Sequence, residues 1–469
     1  LPDIVSDNFE MTSPGVMTKG MDKRLLQLEA GLDPEMMRSV LQRRLFGEAR
    51  FRIESCRVLQ VRYKPERKCL VVWSLTISDL LTGRADEQIA CAHILPEGES
   101  RLHFEQAAAG PLHQAGYGRP LVHLPELEMV IRLFPNDRKL KSLARIAAAE
   151  HLKNAVVPEL LARSAEPELR LVRLSHRIIH YVAEHSCTVR LEAALESPAA
   201  GALQTRTWYG KTWDDDEGAA TWRNMRCLWE SEARRDGRLL MAEPLLYQAE
   251  ERTLWQAGLS GCTLADQHSS SREFLHLLAR AAQAVAALHQ SALPDLPEVG
   301  IHQRLSRLQQ AHQLLSQMRP TTSEPVQSLL SRLEADAAQH GARPLVTLHG
   351  DLHLKNFFVT DEGVALIDFD NLRRGDPLQD VGSFIASLYF RGLLDEIPAR
   401  VTKLIADEFV QAYRAAVPWN FSETELEWHI AAALIEERAC RCITRLKAGR
   451  LEVIDELVAL AGRIGERSL

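Results

Sequence analysis

The sequence predicts an α+β chain, with antiparallel sheets in its first half and helices in its second half around one short β island. Three observations predict it. A β-rich hairpin pattern occurs twice, 118 positions apart; apolar residues at helical spacing dominate after Ser269; and three short apolar strands joined by polar loops cluster between Pro344 and Ile367. At 469 residues the chain is longer than one hydrophobic core usually serves, so two or three structural units are expected. Hydrophobic residues make up 46% and charged residues 25%, the balance of a folded globular protein.

Residues 1–20 are polar, contain Pro and Gly, lack apolar periodicity and read as a flexible N-terminus. Asp33-Pro34-Glu35 combines a capping residue, a proline at the first helical position and an acid in the first turn, which predicts a helix to about Leu45. Strand patterning begins at Phe51. The stretch Arg62-Tyr-Lys-Pro-Glu-Arg-Lys-Cys-Leu-Val71 lies over His180-Tyr-Val-Ala-Glu-His-Ser-Cys-Thr-Val189. Tyr63/Tyr181, Glu66/Glu184, Cys69/Cys187 and Val71/Val189 are identical, and Gly83 falls on Gly201. Each copy reads as three strands, a helical stretch and a strand pair, which predicts a duplicated sheet module. In the second copy the helix covers Glu217–Ser231, and the strand pair covers Leu245–Gln248 and Thr253–Gln256. The Ala- and Leu-rich run 269–292 then predicts a buried helix with a serine cap, and further helices are expected at Pro398–Ala416 and Glu423–Lys447. The expected organisation is a flexible segment 1–20, an α+β cap 21–165, a small lobe 166–257 and a helical lobe 258–469.

A net charge of −7 argues against a chain that grips nucleic acid through its phosphates. The eight cysteines, at 56, 69, 91, 187, 227, 262, 440 and 442, form no C-x-x-C pair and no regular framework, which fits a reducing cytoplasm. No apolar run is long enough for a transmembrane helix, so no membrane partner is expected.

The chemistry concentrates in the island. His349, Asp351 and Asn356 fall on the loop between two short strands, and Asp368 and Asp370 directly follow a third. Acids and an amide at adjacent strand ends make an oxygen-rich pocket suited to Mg²⁺ that also binds nucleotide phosphates. An aspartate beside that metal can accept the proton of an attacking hydroxyl. His349-Gly-Asp351-Leu352 with Asn356 keeps the intervals of the protein-kinase catalytic loop H-R-D-L-x-x-x-N, with Gly350 in place of Arg. Asp368-Phe369 stands where the D-F-G metal ligand would, with Asp370 replacing the glycine.

The whole stretch HGDLHLKNFFV…ALIDFDNLRRGDPLQDVGSF resembles the signature of the aminoglycoside phosphotransferase family, from about residue 170 to the C-terminus, with Leu354 where that family usually has proline. The resemblance implies a bilobal protein-kinase-like fold, a mostly antiparallel small lobe over a helical lobe. ATP with Mg²⁺ is the implied donor, and a hydroxyl on a small molecule such as an aminoglycoside, amino-alcohol or sugar the implied acceptor. It implies Asp351 as catalytic base, His349 as a loop-organising residue at the catalytic centre, and Asn356 and Asp368 as Mg²⁺ ligands. Asp380 matches an aspartate that buttresses the loop, although it also reads as a cap on the following helix.

On the donor side, Thr205-Arg-Thr-Trp-Tyr-Gly-Lys211 is a β-rich run ending in a lysine suited to the α- and β-phosphates, and Gln256, Ala257, Gly258 and Leu259 would meet adenine in the linker. Glu217, Glu230 and Glu232 are candidate partners of Lys211, none at the expected spacing. The turn expected over the phosphates, Tyr181–Ser186, contains no glycine, which with His353 two positions after Asp351 favours a small-molecule kinase over a protein kinase. The first copy has His93 at the register position of Lys211 and no island after it, so it reads as a degenerate small lobe.

Two other enzyme chemistries fit less well. A metallophosphoesterase would need G-D-x-x-D and G-N-H motifs downstream of Asp351-Leu-His353, and a zinc site at His349 and His353 would need a third nitrogen or sulfur ligand. A nucleotide-binding pseudokinase of the same fold is the alternative from a different functional class.

Overall fold

The computed structural model describes residues 22–466 except 48–49, 164–167, 198–200, 270, 338–340 and 342. The expected flexible segment 1–20 lies outside the described residues. The chain divides into two compact units. One takes the chain up to Ala219 with Leu245–Gly258 and Thr444–Ala448; the other takes Ala220–Pro244, Leu259–Ile443 and the C-terminal stretch from Gly449.

In the first unit, the Asp33 carboxylate caps α1 (Pro34–Leu41) by accepting from the amides of Glu35 and Met36, as its sequence dictates. β1 (Phe51–Lys64), β2 (Lys68–Asp79) and β3 (Ala85–Ile94) form an antiparallel meander. After α2 (Ser100–Ala108), β4 (Leu121–Leu124) and β5 (Met129–Leu133) complete a sheet of order β1-β2-β3-β5-β4. The pattern then repeats. β6 (Arg170–Val182), β7 (Ser186–Glu196) and β8 (Leu203–Trp213) form a second meander, α3 (Glu217–Trp229) follows, and the short β9 (Leu240–Met241) belongs to the other unit. β10 (Pro244–Gln248) and β11 (Thr253–Ala257) close a sheet of order β10-β11-β8-β7-β6. Both sheets therefore have the same connectivity, which is the duplicated module that the 118-residue shift predicts.

The duplication extends to individual hydrogen bonds. Tyr63 pairs with Cys69 across the β1–β2 turn and Tyr181 with Cys187 across the β6–β7 turn. The Asp22 carboxylate accepts from the amides of Arg24 and Leu25, the Tyr63 hydroxyl and the Glu66 amide. Asp137 accepts from the corresponding four groups: the amides of Lys139, Leu140 and Glu184 and the Tyr181 hydroxyl. Glu66 and Glu184 are both left-handed, at φ 57° and 58°, a conformation costly for a side chain with a Cβ and here fixed by those carboxylates. Asp79 and Ser197 each donate across the next turn, at 2.8 and 3.1 Å, over Gly83 and Gly201 at φ 69° and 61°. The repeated unit thus begins at Asp22-Lys-Arg-Leu25 and at Asp137-Arg-Lys-Leu140, a match upstream of the hairpins that the strand patterning alone did not reveal.

Period-2 burial explains how the two sheets meet. Cys187, Val189, Leu191, Ala193 and Leu195 point alternate side chains of β7 into a core shared with Leu70, Val72, Ile89 and Cys91 of the first sheet. The connecting segment fills the rest of that core with Leu143, Ile146, Leu152, Val156 and Leu160.

The second unit holds the helices α4 (Arg272–His289), α5 (Ile301–Met318), α6 (Ser323–Ala337), α7 (Leu378–Leu393), α8 (Ala399–Ala416) and α9 (Glu423–Ala433). A π-helical turn (Leu434–Ala439) continues α9 into α10 (Cys440–Arg445), and α11 (Ile454–Glu466) follows. Ser271 caps α4 through the Phe274 amide, at 3.0 Å. Two small sheets cross this unit: β12 (Cys262–Thr263), β15 (Phe357–Thr360), β16 (Gly363–Leu366) and β9 in one, and β13 (Glu298–Val299), β17 (Arg373–Gly375) and β14 (Val346–Leu348) in the other. Phe357, Phe384 and Phe409 pack together beneath them, with ring centroids 4.1 to 6.3 Å apart. Among the described residues no helix is long and apolar enough to cross a membrane.

Candidate active site

The island folds as its patterning predicts, and its backbone is locked from behind. β14 delivers the chain to His349, and β17 pairs with β14 to bring Asn371 and the following residues back beside it. Gly350 has φ 84°, and a Cβ there would lie 2.1 Å from the Asn371 carbonyl oxygen, so glycine is required where protein kinases carry arginine. The Asp380 carboxylate, fully buried at the start of α7, accepts from the amides of His349 (2.6 Å) and Gly350 (3.0 Å). That geometry makes it a buttress of the loop rather than a helix cap. His289 holds the buttress in turn, its Nε2 3.1 Å from Asp380 and its Nδ1 2.7 Å from the Tyr413 hydroxyl. Burial pushes the Asp380 carboxyl up, but the His289 hydrogen bond and the charges of His289, His349 and Arg373 outweigh it and hold the carboxyl below its ordinary range.

His349 is wholly buried, and its Nε2 lies 2.9 Å from the Ile367 carbonyl, which fixes the ring between the two strand ends. Asn356 donates through Nδ2 to the Asp351 carbonyl at 2.8 Å, leaving Oδ1 as the amide's electron-pair donor. Its carbonyl receives the Ile367 amide at 3.1 Å. Because Phe357 pairs with Leu366, Asn356 and Asp368 sit at neighbouring ends of β15 and β16. Asp368 is left-handed at φ 67°, an unusual conformation for a residue with a Cβ.

Asp351 is part-buried, with Arg441 Nη2 3.4 Å from its Oδ1 and His353 Nε2 3.9 Å from its Oδ2. Burial raises its carboxyl, but Arg441, His353, Arg438 and His349 together hold it below the ordinary value. Burial drives His353 down to about 4, so its imidazole is neutral at pH 7. Among the described residues no group of three or more His, Cys, Asp or Glu side chains is arranged to hold a metal. The oxygen donors of Asn356 and Asp368 nonetheless suit Mg²⁺, which takes few protein ligands and completes its shell with water and phosphate.

Of the residues expected on the donor side, Lys211, Gln256, Ala257 and Gly258 lie in the sheet unit. Lys211 is on β8, opposite Thr188 of β7 and Leu254 of β11, with its ammonium 5.5 Å from the Trp213 ring centroid. Gln256 and Ala257 end β11, and the Gly258 amide donates to the Thr207 carbonyl at 2.8 Å. A Cβ on Gly258 would meet Thr207 at 2.9 Å, so only glycine lets the chain leave the sheet here. Leu259 begins the next stretch of the helical unit.

The turn Tyr181–Ser186 has a different environment from the one its position suggested. Glu184 is 6% exposed; its carboxylate pairs with Arg138, and His93 Nε2 lies 2.7 Å from Oε1. Arg62 donates to the Ala183 carbonyl at 2.9 Å. The turn is therefore fastened to the first sheet.

Residues 233–419 match the family model described as phosphotransferase enzyme family, APH. That match places residues 233–419 in the aminoglycoside phosphotransferase family. No curated protein matches its sequence. Among solved structures it is similar to a thermostable mutant of aminoglycoside phosphotransferase APH(4)-Ia, at 15% identity and a TM-score of 0.42 over 64% of this chain and 94% of the other. It is similar also to a putative aminoglycoside phosphotransferase from Ralstonia eutropha, at 15% identity and a TM-score of 0.45 over 63% and 93%. A choline/ethanolamine kinase family protein from Mesorhizobium loti gives 14% identity and a TM-score of 0.40 over 59% and 87%.

Sequence reasoning missed His289, Tyr413 and Arg441. A histidine closing an Ala- and Leu-rich helix carries no signal of its partner 91 residues away. Arg438 and Arg441 did leave a trace, being basic residues at i and i+3 within the largely apolar run 430–443 of the expected helix Glu423–Lys447.

Proposed function

We propose that this phosphotransferase is an ATP- and Mg²⁺-dependent kinase that moves the γ-phosphoryl group to a hydroxyl of a small molecule. The observation that carries the reading is Asp351: a part-buried carboxylate kept ionised by Arg441, on a loop whose backbone Asp380 fixes. Asp351 would take the proton of the acceptor hydroxyl as its oxygen bonds to the γ-phosphorus and the bond to the bridging oxygen of the leaving ADP breaks. Asn356 Oδ1 and the Asp368 carboxylate would hold Mg²⁺, which neutralises phosphate oxygens when bound. His349 would position the loop, Lys211 would hold the α- and β-phosphates, and Gln256, Ala257, Gly258 and Leu259 would meet the base. Aminoglycosides, amino-alcohols and sugars are the candidate acceptors; the negative charge and the cysteine spacing support a cytoplasmic enzyme that binds neither nucleic acid nor membrane.

One observation favours a second reading. The fastened turn at Glu184 suits a nucleotide-binding pseudokinase, which would bind without turnover. Purified protein assayed with ATP, Mg²⁺ and a panel of hydroxyl compounds should phosphorylate one class, and Asp351→Asn should lower kcat about 10³-fold. ATP binding with no phosphoryl transfer to any class, or turnover indifferent to Asp351→Asn, would decide for the pseudokinase or against Asp351 as base.

A further inference from the structure

The duplicated sheets turn the same face to different surroundings. Leu70, Val72, Ile89 and Cys91 of the first sheet lie in the core that it shares with β7, so the second sheet covers that face. A shift of 118 positions carries these four residues onto Thr188, Arg190, Thr207 and Tyr209, and His93 onto Lys211. All five of the second set are half-buried. The odd-numbered residues of β7 supply the shared core, which leaves Thr188 and Arg190 on the opposite face. A guanidinium in the place of Val72 could not be covered by an apolar sheet without a large desolvation cost, so this face suits a polar or π-bearing occupant.

The strand register aligns the polar residues. Arg177 on β6 pairs with Arg190 on β7, Arg190 with Tyr209 on β8, and Tyr209 with Gln256 on β11, one row across four strands. Directly paired residues share a face and hold their Cβ atoms about 5 Å apart. Lys211 lies two residues beyond Tyr209, on the same face, in the next row with Thr188 and Leu254. The row therefore runs beside the lysine proposed for the phosphates and ends at Gln256, the first of the residues proposed to meet the base. Glu192, next on the same face of β7, is ion-paired with Arg190. The pair leaves Arg190 little net charge to offer a phosphate, but its guanidinium keeps a planar face to offer a ring.

We propose that Tyr209 and Arg190 form the platform on which the base of the donor nucleotide lies, with Gln256 at its edge, and that these two side chains set the affinity for the base. Phenol and guanidinium planes both stack on a purine. The inference rests on the donor role proposed for Lys211 and Gln256, and adds to it which part of the donor each row of the sheet takes.

The test is calorimetric titration of ATP and of inorganic tripolyphosphate, each with Mg²⁺, into the full-length wild type and its Arg190→Ser, Tyr209→Ser and Lys211→Ala variants. Arg190→Ser and Tyr209→Ser should each weaken ATP at least about tenfold and change tripolyphosphate less than about twofold, whereas Lys211→Ala should weaken both. Unchanged thermal melts show that the fold persists. Arg190→Lys, which keeps the charge and loses the plane, should behave as Arg190→Ser does. ATP affinity indifferent to both serine variants, tripolyphosphate weakened as much as ATP, or wild-type ATP affinity in Arg190→Lys would each overturn the platform and leave the kinase proposal standing. A wild type that binds no ATP would overturn both. ATP binding that behaves as expected without any phosphoryl transfer supports the platform and removes only the kinase reading.

Discussion

The two sheet modules keep the same strand order, turn conformations and four-fold aspartate caps, yet differ at the positions that would meet a nucleotide. Lys211, Gln256 and Gly258 of the second correspond to His93, Arg132 and Phe134 of the first. The difference teaches that connectivity and turn geometry persist because backbone hydrogen bonds enforce them in either copy, whereas side chains at the strand ends answer to whatever lies over them. Glu66 and Glu184 show the same point: both share one backbone conformation, but Glu66 is exposed, whereas Glu184 is buried against Arg138 of its own module and His93 of the other.

The comparison breaks most sharply at the lysine. Lys211→Ala should lower kcat/KM for ATP by about 100-fold, close to 2.7 kcal/mol of lost transition-state stabilisation, while His93→Ala should change it less than about threefold. Steady-state kinetics of both variants with the identified acceptor reads this directly, and equal losses would mean that the modules are functionally equivalent.

A smaller effect should follow from Glu184→Gln, which leaves Arg138 and Lys68 without their carboxylate and should cost about 2 kcal/mol in urea unfolding. The carboxyl lies below its ordinary 4.5: burial raises it, but the Arg138 and His93 contacts more than reverse that. Its stabilisation is therefore complete above pH 4.5 and is lost as pH falls below that value, so the difference between wild type and variant should shrink in acid. His93 acts in the same direction, since burial lowers its imidazole from 6.5 and folding then resists a proton that the unfolded chain accepts. A gap between the two proteins that stays constant down to strongly acidic pH would show that Glu184 contributes through packing alone.

The smallest expected effect sharpens the comparison. Asp22→Ala and Asp137→Ala each remove one acceptor from four donors and should each cost about 1–2 kcal/mol. Thermal melts should show similar losses for the two. A much larger loss for Asp137 would mean that the shared core transmits damage from the second turn, which the first turn does not experience.

The sequence by itself determined the class of fold, the repeat and the loop-and-strand island proposed as the catalytic centre, because each rests on local patterns. Alternating apolar residues specify strands, Asp33 and Ser271 specify helix starts, and the spacing of His349, Asp351, Asn356 and Asp368 follows from a loop and two paired strands. It also exposed the swap of Lys211 for His93. Tertiary structure alone decided what lies behind and over those residues. Asp380 could have capped a helix or held a loop, and only the approach of α7 to β14 chose the loop. His289, Tyr413 and Arg441 reach the site from helices far away in sequence, so no spacing could announce them. The turn at Glu184 was legible as a turn, but its attachment to Arg62 and His93 depends on two sheets packing face to face. A long-range ionic contact of that kind leaves no periodicity in a single chain.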